Sequence, residues 1–278
     1  MTSPSESTVY SFYPMLVPTL LTLVVLLTIF GAVMAHNVRR LERAKRQQGL
    51  GKPWFLQRVS VEELEPAFRM DELGPTRATE VRYMGRGGFP VPGGTSDFET
   101  LILCVLARRS TAMFEFGTCT GKTAYLWARN IPAGGRVVTL TLSPDSIKEY
   151  LNVAGDDDEA ARHALEESRF TRYLYTGTDV ESRITQLYGD SKAFDDGPHT
   201  RQYDVIFVDG SHALSYVYND TEKALRMVKP GGVILWHDYA GPHRSPDVHR
   251  ALNEMAARLN NLRHIKGTTL VFHRAPAE

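Results

Sequence analysis

The sequence predicts an α/β domain built on a mostly parallel seven-stranded sheet with helices on both faces, preceded by one N-terminal apolar helix. From residue 112 onward, short apolar segments rich in β-branched residues alternate with amphipathic segments, which is the pattern of strand–helix–strand units. An uncharged stretch of 21 residues, 15–35, comes before this pattern. These two observations together predict a domain tethered to a membrane.

The uncharged stretch 15–35 has the length of a transmembrane helix, since about 20 apolar residues span a bilayer. Aromatic residues precede it at 10–13, where an aromatic belt would lie. Residues 1–14 contain no Lys or Arg, whereas five basic residues follow at 39–46. The positive-inside rule therefore predicts a single-pass protein with an extracytoplasmic tail at 1–14 and a cytoplasmic domain.

A cleaved signal peptide is the alternative interpretation of this stretch. Val33-Met34-Ala35 resembles a cleavage site. Signal peptides, however, have a positively charged n-region and a shorter apolar core, and the segment has neither feature. The sequence therefore favours an anchor.

Composition excludes some other classes. Lys plus Arg and Asp plus Glu both number 32, so no general attraction to nucleic acid is expected. The two cysteines, Cys104 and Cys119, form no CxxC pair. This predicts a reducing compartment and no structural zinc.

Residues 36–93 are predicted to form a juxtamembrane helix followed by an irregular linker, and 94–278 the main domain. Gly85–Thr95 contains five glycines and two prolines, which is typical of a loop. Ser96 and Asp97 follow it as a helix cap. The predicted strands are 112–116, 136–141, 184–188, 203–208, 232–236 and a closing antiparallel pair, 262–266 and 268–273. The predicted helices are 97–108, 121–130, 158–168, 213–228 and 246–260.

The stretch from Met113 to Ala124 ends in Gly121-Lys122-Thr123, like the end of a phosphate-binding P-loop. A P-loop has its first glycine five residues before the second, and that position is Phe116. A triphosphate site is therefore excluded. What remains is Glu115-x-Gly117-x-x-x-Gly121 at a strand end, where glycines let the backbone approach a ligand.

Dinucleotide-binding folds have a further glycine in this loop, because the backbone must approach a pyrophosphate. Cys119 occupies that position. A nicotinamide cofactor is therefore disfavoured, and a ligand without phosphate, such as S-adenosylmethionine, fits better.

Polar clusters follow three more of the predicted strands: Gly189-Asp190-Ser191, Asp209-Gly210-Ser211-His212 and His237-Asp238-Tyr239. The carboxyl ends of parallel strands share one rim of the sheet, where ligands bind. Together with Gly117 they predict one functional site.

With these motifs, residues 94–273 resemble the class I S-adenosylmethionine-dependent methyltransferases, and most of all the small-molecule O-methyltransferase branch that includes macrolide-sugar methyltransferases. The resemblance rests on Phe114–Gly121, Gly189–Ser191, Phe207–His212, Lys229–Val233 and Trp236–Tyr239. It implies a Rossmann-like fold. It also implies a cofactor-binding set made of Glu115, Gly117, Thr118, Gly121, Thr141, Asp190 and Ser191.

The resemblance further implies a catalytic pair, His212 and Asp209, and a candidate metal set made of Asp209, Asp238 and His237. His212 matches a general base, and Asp209 and Asp238 match metal-binding positions. Hard carboxylate oxygens suit Mg²⁺, but His237 stands where an acidic metal ligand often occurs. A second departure is Thr141, which replaces the acid that holds the cofactor ribose, and Asp145 is a candidate substitute.

The sequence thus predicts a membrane-anchored methyltransferase that acts on a hydroxyl of a small molecule, a glycan or a lipid-linked acceptor. A tethered interaction protein without catalysis remains an alternative because of Thr141 and His237. A nicotinamide oxidoreductase is a third, less favoured hypothesis.

Overall fold

The computed structural model describes residues 13–47, 56–89 and 94–277. The chain divides into two compact units, Met1–Lys52 and Pro53–Glu278. The first contains helix α1 (Tyr13–Gln47), so the uncharged stretch is helical as predicted. Its segment Pro18–Arg40 is long and apolar enough to cross a membrane, with a mean hydropathy of 2.2 and no part of it buried. Residues 1–12 of the predicted tail lie outside the described residues.

The second unit is built on an eight-stranded sheet. In chain order the strands are β1 (Gln57–Val59), β4 (Ala112–Phe116), β5 (Arg136–Thr141), β6 (Ile184–Tyr188), β7 (Tyr203–Val208), β8 (Val228–Trp236), β9 (Arg263–Ile265) and β10 (Val271–Arg274). A separate antiparallel pair is β2 (Met70–Asp71) with β3 (Gly74–Pro75).

The spatial order of the sheet is β1-β9-β10-β8-β7-β4-β5-β6. β10 pairs antiparallel with both neighbours, and the other pairs are parallel. The mostly parallel sheet with a closing antiparallel pair is therefore confirmed. The eighth strand, β1, was not predicted; it pairs in parallel with β9, and its three residues are too few to show an alternation of apolar and polar positions.

The longer helices of this unit are α3 (Asp97–Ala107), α4 (Lys122–Asn130), α5 (Asp158–Glu167), α6 (Leu214–Met227) and α7 (Pro246–Met255), and a four-residue helix, α2 (Val61–Leu64), precedes them. Successive strand residues point to opposite faces. On one face α3 and α4 pack in a core with Met113 of β4. On the other, α6 and α7 pack in a core with Phe114. The prediction of helices on both faces of the sheet is therefore confirmed.

Part of the predicted irregular linker belongs to this core. Val59, Leu64 and Phe68 are buried beside α3, so residues 56–68 fold with the domain rather than lead up to it. The predicted cap of α3 is present as a capping box. Ser96 Oγ accepts from the Glu99 amide at 3.3 Å, and the Ser96 amide donates to Glu99 Oε2 at 2.8 Å.

The chain order of the strands changes direction at β4. From β4 the chain runs outward to β5 and β6, then returns to the other side for β7 and β8. Such a reversal opens a crevice beyond the carboxyl ends of β4 and β7, the usual ligand site of open α/β sheets.

Candidate functional site

The glycine-rich loop follows β4 and packs on the chain that leaves β7. Gly117 has φ +95°, and a Cβ built on it would lie 2.1 Å from the Asp209 carbonyl oxygen. Its amide donates to Leu140 O at 2.8 Å. Only glycine fits here, because this close approach and this dihedral exclude a side chain. Gly117 therefore serves the packing of the loop as well as access for a ligand.

Glu115 and Thr118 support the loop from below. Thr139 Oγ1 donates to Glu115 Oε2 at 2.7 Å and lies 2.7 Å from Thr118 Oγ1. Burial raises the pKa of Glu115 to about 8, and the charge of Asp209 adds to this despite the Thr139 hydrogen bond. Glu115 is therefore a buried positioning group of the loop.

A cavity of 50 Å³ lies beyond the carboxyl ends of β4, β5, β6 and β7; we call it the cofactor cavity. Of the residues predicted to bind cofactor, Gly117, Thr141 and Ser191 line it. Glu115, Thr118, Gly121 and Asp190 are not among its described lining residues. Gly121 instead caps α4 with φ +75°, and its missing side chain makes room for Tyr175.

Two tyrosines that sequence reasoning missed form one wall of the cofactor cavity. Tyr150 and Tyr216 stack with ring centroids 4.6 Å apart and planes 14° apart. Asp190 Oδ2 accepts from Tyr216 OH at 2.6 Å and from the Leu151 amide at 3.2 Å. Asp190 therefore holds the wall in place, and the flat aromatic surface suits a heteroaromatic base.

The catalytic residues expected from the sequence meet beside this cavity. One ligand atom from each of Asp209, His212 and Asp238 lies within 4.8 Å of the others. His212 Nε2 is 2.9 Å from Asp238 Oδ2. Asp238 has φ +58°, an uncommon value for a non-glycine residue that tends to occur at functional sites.

His237 lies between the two aspartates. Its Nδ1 is 3.0 Å from Asp209 Oδ1 and 3.0 Å from Asp238 Oδ2, and its Nε2 is 3.5 Å from Glu99 Oε2. Glu99 is held by the Thr269 amide, which donates to Oε1 at 2.6 Å. The imidazole thus has carboxylates at both nitrogens.

These contacts set the charges of the cluster. Burial alone would lower the pKa of His212, but Asp238 and Asp209 raise it to about 9. The same two aspartates outweigh burial at His237 and raise its pKa well above the usual value. Burial would raise the pKa of Asp238, yet the two imidazoles lower it well below its usual range. Burial raises the pKa of Asp209, which the charge and hydrogen bond of His237 oppose. The cluster therefore favours protonated imidazoles and an ionised Asp238.

Comparison with known families identifies the domain. Residues 114–239 match the model of a family described as a methyltransferase domain. These residues form a methyltransferase domain. The match begins on β4 and ends at Tyr239, so it spans the glycine-rich loop, the cofactor cavity and the His–Asp cluster.

Several solved structures resemble this methyltransferase, whereas no curated protein sequence matches it. One is the O-methyltransferase TomG from Streptomyces achromogenes, involved in tomaymycin synthesis and solved with SAM, at 20% identity over 66% of this chain and 82% of that one, TM-score 0.43. A second is an O-methyltransferase from Bacillus cereus with SAH, at 19% identity over 67% and 84%, TM-score 0.46. A third is cofactor-bound Rv0187 from MTB, at 19% identity over 72% and 86%, TM-score 0.45.

The donor set of the methyltransferase's His–Asp cluster does not fit Mg²⁺. Mg²⁺ prefers oxygen ligands, while imidazole nitrogens suit transition metals. Here His237 lies between the two carboxylates and contacts both, and His212 contacts an oxygen of Asp238. The carboxylates that would bind Mg²⁺ are already paired with imidazoles.

The expected substitute for the ribose acid is not in the cofactor cavity of the methyltransferase. Asp145 is exposed and is not among the described lining residues. The cavity instead contains Glu167, the last residue of α5. No sequence signal pointed to Glu167, because an acidic residue at the end of an amphipathic helix normally faces solvent.

Proposed function

We propose that the chain is a membrane-anchored S-adenosylmethionine-dependent O-methyltransferase. The observation that carries this proposal is the position of the His–Asp cluster directly beside the cofactor cavity of a methyltransferase domain. Gly210 and Ser211 line the cavity, and the residues on either side of them, Asp209 and His212, belong to the cluster. A methyl donor and a proton acceptor would therefore stand next to each other.

When bound, S-adenosylmethionine would supply an activated methyl group for an in-line displacement: the acceptor oxygen would bond to the methyl carbon as the sulfur–carbon bond breaks and S-adenosylhomocysteine leaves. What the chain's own residues must do is hold the acceptor in line and take its hydroxyl proton. His212 is the base that we assign. The neutral form of the ring is the active one, and the pKa of about 9 means that this form grows as the pH rises towards 9. In it Nε2 donates to Asp238, which orients the ring, and Nδ1 is left to take the proton.

His237 supplies positive charge to the cluster in this mechanism. It offsets the negative charges of Asp209 and Asp238, between which it lies, and Glu99 fixes its orientation from behind. The resulting mechanism uses a histidine base and no Mg²⁺.

The acceptor is a polar hydroxyl compound, either a small molecule or a glycan, free or linked to lipid. A second cavity of 440 Å³ opens beside His212 and Asp238; we call it the acceptor cavity. Its wall is mostly charged or polar, with groups of both signs: Asp157, Glu159, His163, His212, Asp238, His243, Arg244, Ser245 and Asp247. Such walls hydrogen-bond to sugar-like hydroxyls better than they cover an apolar ring.

We expect the full-length chain in detergent to be stabilised by S-adenosylhomocysteine and not by NAD. A ligand at 100 times its Kd raises the free energy of unfolding by about 2.7 kcal/mol, which is measured as a rise in Tm. In the same preparation, methyl transfer to a panel of sugars should exceed transfer to apolar phenols. Stabilisation by NAD alone would support an oxidoreductase, and cofactor binding without transfer to any acceptor would support an interaction protein.

The anchor is α1, with the N-terminus outside and the methyltransferase domain in the cytoplasm. The exposed apolar segment Pro18–Arg40 and the basic residues after it support this orientation. Protease added to intact cells should leave the domain whole, whereas protease added after lysis should digest it. A mature N-terminus at His36 would instead identify a cleaved signal peptide.

A further inference from the structure

Glu167 places a carboxylate in the cofactor cavity that the catalytic scheme does not use. Ala164, one turn earlier, and Ser168 line the same cavity, so the end of α5 faces it. Within the described residues the Glu167 carboxylate has no hydrogen-bond partner. A half-buried carboxylate without donors is costly, so a ligand that brings donors would be bound there.

Thr141 indicates that the ligand donors are the hydroxyls of a ribose. It ends β5 and lines the same cavity, at the position where the resemblance given above led us to expect an acid for the cofactor ribose. A ribose has two neighbouring hydroxyls, and a carboxylate can accept a hydrogen bond from both. A threonine hydroxyl cannot replace that paired acceptance.

The other carboxylate of the cavity is already occupied. Asp220 is fully buried, accepts from Asn219 Nδ2 at 2.8 Å and is also hydrogen-bonded by Ser191. Among the described lining residues, this leaves Glu167 as the acid able to accept from a ligand.

We propose that Glu167 binds the ribose hydroxyls of the cofactor and replaces the acid absent at Thr141. The inference rests on the proposed function, since it takes S-adenosylmethionine as the cofactor. The ribose ligand then comes from the helix that follows β5 in the chain and not from the end of β5 itself.

The electrostatics of the cavity agree with this role. Burial raises the pKa of Glu167 to about 7; the negative charges of Asp209 and Asp238 add to the effect, and the imidazoles of His212 and His237 oppose it in part. Hydroxyl donors and the positive sulfonium of the cofactor would both stabilise the ionised carboxylate. Binding would thereby relieve an unfavourable arrangement of the free protein.

The test measures S-adenosylhomocysteine binding to the full-length chain by titration calorimetry. Glu167→Ala should raise Kd about 10- to 100-fold, the effect of losing hydrogen bonds to a charged group. Glu166→Ala, which changes an exposed neighbour, should leave Kd unchanged. Adding Thr141→Asp to Glu167→Ala should recover most of the affinity, because it returns an acid to the end of β5.

A cofactor analogue identifies the contact. For S-adenosylhomocysteine lacking the ribose 2′- and 3′-hydroxyls, wild type and Glu167→Ala should bind equally. If Glu167→Ala raises Kd by the same factor for both ligands, Glu167 acts through packing and the inference is overturned. Glu167→Gln keeps the size of the side chain, and its near-UV dichroism shows whether the fold is native, so its Kd separates loss of the carboxylate from loss of packing. If Glu167→Ala leaves the Kd for S-adenosylhomocysteine unchanged but abolishes turnover, Glu167 contacts the acceptor instead, which overturns this inference and leaves the proposed function standing. If the wild-type chain does not bind S-adenosylhomocysteine, both the inference and the proposed function are overturned.

Discussion

Replacing His212 with alanine should lower kcat by about 10²–10⁴-fold, the usual contribution of a general base. The Kd for S-adenosylhomocysteine should stay nearly unchanged, because His212 lines the acceptor cavity and is not among the described lining residues of the cofactor cavity. Single-turnover methyl transfer and calorimetry measure the two quantities separately. His199→Asn is a matched control, since His199 bonds to Tyr203 and lines neither cavity in the described part of the chain.

The pH dependence gives a second measure of the same base. His212 must be neutral to accept a proton, and its pKa is raised to about 9 by Asp238 and Asp209 against the effect of burial. The free-enzyme kcat/KM should therefore rise with pH up to about 9. Asp238→Asn removes the nearest negative charge, lowers the pKa of His212 and should move this rise to lower pH.

Three results would contradict the assignment of His212. Full activity of His212→Ala would return the residue to a structural role. A rise in kcat/KM that does not move in Asp238→Asn would point to another base. If a chelator abolishes activity and Mg²⁺ restores it, the carboxylates of the cluster bind a metal during catalysis and are not paired with the imidazoles.

Gly117→Ala should lower the free energy of unfolding by about 3–5 kcal/mol, which combines backbone strain with overpacking. The φ of +95° is unfavourable for alanine, and the new Cβ would lie 2.1 Å from the Asp209 carbonyl oxygen. Neither that backbone nor the end of β7 can move aside without disturbing the central strands. Urea unfolding of the full-length chain in detergent measures the loss.

Gly134→Ala is the control that separates the two causes. Gly134 has a similar φ of +82°, but nothing lies within 4 Å of its Cβ position. This substitution should cost only about 1–2 kcal/mol, from strain alone. Equal losses for both variants would show that the contact with Asp209 contributes nothing.

The sequence by itself determined the order and the ends of the main elements. Apolar segments such as Val205–Val208 and amphipathic helices have periods that follow from local backbone geometry. Because parallel strands end on one rim, the sequence also predicted that Asp209, His212 and Asp238 meet. Residue counts back from Gly121 likewise excluded a P-loop, because Phe116 stands where its first glycine would be, and Cys119 disfavoured a dinucleotide site.

Only the tertiary structure decided which side chains face the cavities. It placed Glu115 beneath the loop and Asp190 behind Tyr216, although both stand in the expected motifs. It also brought Glu99 to His237 and Glu167 into the cofactor cavity. Periodicity reports whether a residue is buried, but contacts between residues far apart in the chain depend on how whole helices pack, and no local pattern encodes that packing.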